Sequence, residues 1–229
     1  MDNLQLLSLL QLCDSNLPVG QFSHSYGLET YIQDGKVHDK QTMKEWLMVY
    51  AEDQMCFSDG LGCYLGFQAL SEGHLTDFWE IAVRLDAQSL SRESREANRK
   101  VGMRLLKLCQ DLYPNSILDM YKQKIKTDHI KAHPALVFAM ISYELHLSET
   151  ETIVAYLYST ISGLIQNAVR GIPIGQTAGQ TLLHDMKSRI EILTDRIKKL
   201  SIDDLGATPP GLEIAQMRHE HLAVRIFMS

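Results

Sequence analysis

The sequence predicts an all-α protein, a single compact bundle-like domain of about nine to eleven helices. Three observations carry that reading. Apolar residues return at three- and four-residue spacing in one segment after another. Capping residues and prolines punctuate those segments where helix ends are expected. β-branched residues are scattered, and strict alternation of apolar and polar positions is never sustained.

The elements follow in chain order. The run Leu4–Leu12 predicts a first helix; Met1-Asp2-Asn3 before it has no basic residue, which argues against a secretory signal. Lys40–Phe57 carries Met43, Trp46, Leu47, Tyr50 and Ala51 on one stripe, with Asp39 placed to cap it. Thr76 is placed to cap a helix bearing Phe78, Trp79, Ala82, Val83 and Leu85. Ser91–Tyr113 comes next and stops at Pro114, which lacks an amide donor and clashes with a preceding helical turn. Pro134 fits the first turn of a helix reaching about His146. Ser148 and Glu151 form a capping box for a long helix to about Arg170. Another helix covers Thr177–Leu200. After the breaker Thr208-Pro-Pro-Gly211, Leu212–Phe227 reads as an amphipathic final helix. Residues 211–229 form a C-terminal tail on a domain covering 1–229, and deletion from Pro210 onward is expected to leave a folded helical body.

Composition narrows the function. The chain has 229 residues, 45% hydrophobic and 22% charged, as in an ordinary globular protein, and no stretch is long and apolar enough to span a membrane. A net charge of −6 argues against general nucleic-acid binding. The charge is uneven: residues 1–80 hold three Lys, no Arg and twelve Asp or Glu, so 3 − 12 = −9, which leaves +3 for the rest. Such an acidic region can steer a basic partner. Cys13, Cys56, Cys63 and Cys109 form no C-x-x-C pair and read as reduced thiols of a cytoplasmic protein. Cys56 and Cys63, seven apart, could share a helix face.

Chemistry is sparse. There is no phosphate-binding loop, no dinucleotide fingerprint and no serine elbow. Nine histidines raise the question of a metal. His129 and His133 have helical ligand spacing, but His133 precedes Pro134, which predicts a boundary there. His219 and His221, two apart, diverge on a helix. His24, between Ser23 and Ser25, reads as a loop brace. No catalytic residue, no metal ligand and no cofactor site is assigned. The pentapeptides Leu17-Pro-Val-Gly-Gln21 and Ile172-Pro-Ile-Gly-Gln176 are alike and fall between helices, as two loops fixed by Pro and freed by Gly.

Three blocks and the C-terminal ending carry a resemblance. They are Leu10-Gln-Leu-Cys-Asp-Ser-Asn-Leu-Pro-Val-Gly-Gln-Phe-Ser-His-Ser-Tyr-Gly-Leu-Glu29, the stretch from Arg92 through Met103, Gln166-Asn-Ala-Val-Arg-Gly-Ile-Pro-Ile-Gly-Gln176, and Leu212-Glu-Ile-Ala-Gln-Met-Arg-His-Glu220 with Arg225-Ile-Phe-Met-Ser229. In this order they resemble the UreF family of urease accessory proteins. The resemblance implies an all-helical, non-enzymatic scaffold that forms a homodimer. It would bridge a UreD/UreH-like accessory protein and the nickel-carrying GTPase UreG, which it could modulate, and meet apo-urease, with no nucleic acid or membrane partner. The partner-binding residues implied are Pro18, Gly20, Phe22, His24, Tyr26 and Glu29 in the N-terminal block, Arg170, and Arg218, His219, Glu220, Arg225 and Phe227 near the C-terminus. Arg225 is expected to hold backbone carbonyls of the N-terminal loop. The alternative is a metallochaperone that binds nickel directly through His or Cys.

Overall fold

Helix α4, Asp59–Ser71, runs through the middle of the molecule and packs against α5 (Leu75–Gln88), α8 (Pro134–Glu144) and α9 (Glu149–Gly171). The structure is a computed structural model that describes residues 1–128 and 130–229. The other helices are α1 (Asn3–Leu12), α2 (Leu28–Gln33), α3 (Lys40–Val49), α6 (Arg92–Leu112), α7 (Ser116–Thr127), α10 (Gln176–Ile197) and α11 (Pro210–His219). The described residues thus form eleven α-helices and no strand, as the periodicity predicts. None of these helices is long and apolar enough to cross a membrane.

The sequence reading missed α4, and its glycines explain why. Glycine lowers helix propensity by about 1 kcal/mol per position, yet Gly60, Gly62 and Gly66 all lie inside this helix. They permit close approach: a Cβ on Gly62 would stand 2.7 Å from Leu85 Cδ1, and one on Gly66 2.7 Å from Leu136 Cδ2. Tertiary packing therefore outweighs propensity. Helix α7, also missed, is capped by Asn115, whose side chain accepts from the Leu118 amide.

Two apolar clusters meet along α4 and α9. One joins α3, α9 and α10 through Met43, Leu47, Leu157, Ile161, Met186 and Leu193. The other joins α5, α6, α7 and α8 through Phe78, Leu85, Leu106, Leu118, Tyr121 and Met140. Leu65 on α4 packs against both. The capping boxes at Asp39 and Ser148 form, and Pro134 opens α8.

Several boundaries differ from expectation. The stripe from Lys40 to Phe57 is not one helix. The backbone widens at Tyr50–Gln54 and tightens at Met55–Phe57. Arg196 holds this stretch, donating to the Glu52 carbonyl with its guanidinium 4.8 Å from the Phe57 ring centre. Cys56 therefore lies outside α4 and shares no helix face with Cys63, though both are buried. Thr76 sits inside α5, after a start at Leu75 that no side chain caps. Ser91 precedes α6, but its hydroxyl donates to the Gln216 carbonyl instead of capping. The final helix stops at His219: the His221 and Leu222 amides close tight turns onto the Arg218 and His219 carbonyls, and the Ile226 and Phe227 amides go to Glu29.

Candidate functional site

The N-terminal loop and the C-terminal tail build one face together. Pro18 is exposed and Val19 buried, which anchors the loop on one side. Gly20 has φ +79°, a left-handed conformation that suits glycine, and the Arg104 guanidinium occupies the space a Cβ would need. Gln21–Ser23 make one tight turn that leaves Phe22 53% exposed. Tyr26 (φ +52°) and Gly27 (φ +92°) then reverse the chain into α2, and Gln216 of α11 packs on Gly27. That turn directs Glu29, in the first turn of α2, into the interior.

The tail returns to the loop. The Met228 amide donates to the Ser23 carbonyl at 2.8 Å, and the Ser25 amide donates to the Ser229 carbonyl at 2.5 Å. His24 Nδ1 lies 2.9 Å from Ser229 Oγ, and Asn167 donates to the His24 carbonyl at 2.7 Å. Arg170 on α9 donates to the Phe22 carbonyl and to Asn167 Oδ1. Its guanidinium sits between two rings, 5.6 Å from the centre of Phe22 and 5.0 Å from that of Phe227. Phe227 is 4% exposed and anchors the tail.

Glu29 is the hub beneath this face. It accepts from the amides of Ile226 and Phe227 and lies 2.8 Å from His219 Nε2. His219 Nδ1 lies 2.6 Å from Glu93 Oε2 on α6, and Arg225 donates to Glu93 Oε1 at 2.8 Å. Two carboxylates thus face one imidazole and one guanidinium, a network buried at Glu29 and His219 and open to solvent at Arg225. At the flanks, Arg218 holds Asp34 by two bonds of 2.8 and 2.9 Å, and Arg92 holds Glu220 at 2.8 Å. These guanidiniums keep the Asp34 and Glu220 carboxyls below the usual carboxylate range. Burial, then the nearby charges of Arg104 and Lys100, lowers the His24 ring to about 4, so it is neutral near pH 7.

Phe22, His24, Glu29, Arg170, His219, Arg225 and Phe227 are therefore contiguous. Tyr26 turns inward and donates to Asn98 Oδ1 at 3.3 Å, while Pro18 stays at the outer edge of the loop. Arg225 is not the residue that holds the loop: it binds Glu93, and Arg170 takes the Phe22 carbonyl instead. A long guanidinium on α9 reaches the loop directly, whereas Arg225 faces α6. Sequence reasoning also missed Glu93 and Arg104. Both lie within the Arg92–Met103 region or one residue past it, but nothing in a helical pattern says that Arg104 turns to a loop 85 residues away or Glu93 to a tail 126 and 132 residues away.

Among the described residues, no group of three or more His, Cys, Asp or Glu is placed to hold a metal. His133 caps α8, its Nδ1 accepting from the Ala135 amide, and His129 lies outside the described residues. His221 is exposed beside Glu220, whereas His219 is fully buried. The site's polar groups are largely committed to one another, which fixes the backbone of this face.

Residues 37–187 match the UreF family model. The chain is 48% identical to the urease accessory protein UreF of Lachnoclostridium phytofermentans over the full length of both. It is 47% identical to UreF of Bacillus sp. strain TB-90, with 98% of this chain and 99% of the relative covered, and 42% identical to UreF of Geobacillus kaustophilus over the full length of both.

Proposed function

The chain belongs to the UreF family of urease accessory proteins, and from that premise we propose that it is a non-catalytic scaffold bridging a UreD/UreH-like protein and a UreG-like GTPase during nickel insertion into apo-urease. The observation that supports this best is the loop–tail face. Phe22, Val224, Ile226 and Met228 are exposed there, yet the backbone beneath them is fixed by Glu29, Ser23 and Ser25. Exposed apolar side chains on a rigid, hydrogen-bonded base suit protein recognition, since little order must be gained on binding. The tail from 211 to 229, with Pro18, Gly20, Phe22, His24, Tyr26 and Arg170, is the partner-binding element of this reading.

Homodimerisation has its own support. Helix α1 leaves Leu4, Leu7 and Leu10 more than half exposed, beside a groove against α9 and α10 that Met1 and Val154 also line. An apolar helix face of that kind suits a second copy of the chain.

Co-expression with the UreD-like protein and the GTPase, followed by affinity capture of this chain, tests the scaffold. Stable recovery of both is expected from the wild type and loss of at least one from Phe22→Ala/Met228→Ala. Recovery of neither with the wild-type chain would end the reading.

A further inference from the structure

One side of α6 is cationic in a way that the bridging role does not itself require. Lys100, Met103, Arg104 and Lys107 stand at i, i+3, i+4 and i+7, and all four are exposed. That spacing sets them on one stripe of the helix. In a chain of net charge −6, such a stripe is set apart. Its charges are little neutralised from within. Lys100 has only Glu96, 3.7 Å away and one turn back on the same helix. Among the described residues, Arg104 and Lys107 have no ion pair with a carboxylate, and the one polar contact of Arg104 is a long 3.5 Å approach to the Val19 carbonyl.

The stripe is continuous with the loop–tail face. Arg104 lies directly under Gly20, and the charges of both Lys100 and Arg104 reach the buried ring of His24. Past the loop, Arg170 extends the cationic character between Phe22 and Phe227, again with no carboxylate partner among the described residues. Apolar contacts thus alternate with cations over one surface, from Lys107 to Met228. Charge of one sign held beside an apolar contact selects a partner of the opposite sign and speeds encounter.

We propose that the α6 stripe of Lys100, Met103, Arg104 and Lys107 receives an acidic segment of the accessory protein that docks on the loop–tail face, Met103 meeting an apolar side chain between the carboxylates. This rests on the scaffold reading above. The acidic segment fixes the partner's register beside the loop, and the apolar anchors supply the rest of the contact.

The test uses the double variant Lys100→Glu/Lys107→Glu, neither of which touches the loop, and Arg104→Gln as a second variant. Binding of each purified accessory protein to the full-length chain is measured from about 50 to 500 mM NaCl, where screening should weaken such pairs. A loss of about tenfold or more in affinity for one partner at low salt is expected in the double variant, with a flatter salt dependence than the wild type. Arg104→Gln should lose affinity for the same partner. Unchanged affinity for both partners in a double variant with wild-type circular dichroism and melting temperature overturns the stripe and leaves the scaffold standing. Absence of binding by the wild type removes the scaffold reading and this one with it. Two further results also overturn the proposal: salt-sensitive self-association lost in the double variant, which assigns the stripe to a second copy, and tight capture of a single-stranded oligonucleotide through these lysines.

Discussion

His219 Nε2 lies 2.8 Å from Glu29 Oε2, and both side chains are almost completely shielded from solvent. This contact joins the last turn of α11 to the first turn of α2. Because the same carboxylate accepts from Ile226 and Phe227, one buried acid sets the path of helix and tail alike. Its worth lies in what its loss would strand: two tail amides without an acceptor, and an imidazole that keeps Glu93 at Nδ1 but has nothing at Nε2.

Replacing Glu29 with Ala is therefore expected to cost about 3–5 kcal/mol, since each buried polar group left without its partner costs about 1–3 kcal/mol. Glu29→Gln should cost less, since its amide oxygen can still accept from a tail amide. Urea unfolding followed by circular dichroism measures both. Equal stability of Glu29→Ala and wild type would show that solvent replaces the network without penalty.

Phe227→Ala tests the tail anchor. Truncating a buried Phe costs about 3–5 kcal/mol where the surroundings cannot move. A chain end can instead undock locally, so global stability should fall by less than that while the tail opens. Hydrogen exchange at the amides of Ile226 and Met228 is expected to rise at least tenfold, with α4 and α9 unchanged. Retained protection at both amides would place the anchor elsewhere.

Two glycines separate packing from propensity. A Cβ on Gly102 would lie 2.7 Å from the backbone carbon of Ala132 and 2.8 Å from the amide nitrogen of His133, and backbone cannot rotate away. Gly102→Ala should lose about 1–3 kcal/mol or more. Gly163, within α9, has nothing within 4 Å of such a Cβ, so Gly163→Ala should gain up to about 1 kcal/mol. Thermal unfolding of the two variants should move in opposite directions.

Acid should loosen the loop. His24 is held neutral in the folded chain, with its pKa lowered from 6.5 to about 4 mainly by burial. The unfolded chain gains a proton as pH falls through 6.5, and the folded chain does so only near 4. This contribution is complete above 6.5 and is lost across that window. His133, also lowered by burial, acts in the same direction. His24→Gln should fall less in melting temperature than the wild type between pH 7 and 4.5. Parallel curves would remove His24 from the account.

The legibility of the molecule in its sequence was uneven for physical reasons. Capping boxes and Pro134 work through neighbours three or four residues away, so Asp39, Ser148 and α8 could be read directly. Helix α4 could not, since the value of Gly62 and Gly66 is set by Leu85 and Leu136. At the site, the resemblance identified the loop and tail as blocks, and seven of the twelve expected residues fall in one cluster. The partners within that cluster were hidden. Glu93 looks like any charged residue in the first turn of a helix, and only the fold sets it between His219 and Arg225. For the same reason the amphipathic pattern of Leu212–Phe227 overran the helix: Val224 and Ile226 continue the apolar period, but Glu29 takes the Ile226 and Phe227 amides.

Two truncations distinguish an appendage from a structural part. Removing 220–229 deletes Phe227 and the contacts to Ser23 and Ser25, but leaves His219 on Glu29 and Glu93. That form should remain folded and helical while losing the partner. Removing 210–229 also takes Leu212, which is in the α3–α9–α10 core, Ala215, whose carbonyl accepts from Thr30, and His219 itself. The sequence alone suggested a folded body after this cut. The burial of these residues instead calls for a helical but much weaker body. At roughly 2–4 °C per kcal/mol for a chain of this size, the longer deletion should melt about 10 °C or more below the shorter one. Equal melting temperatures would mean that α11 merely rests on α2 and α6, and that Glu29 is held by the loop alone.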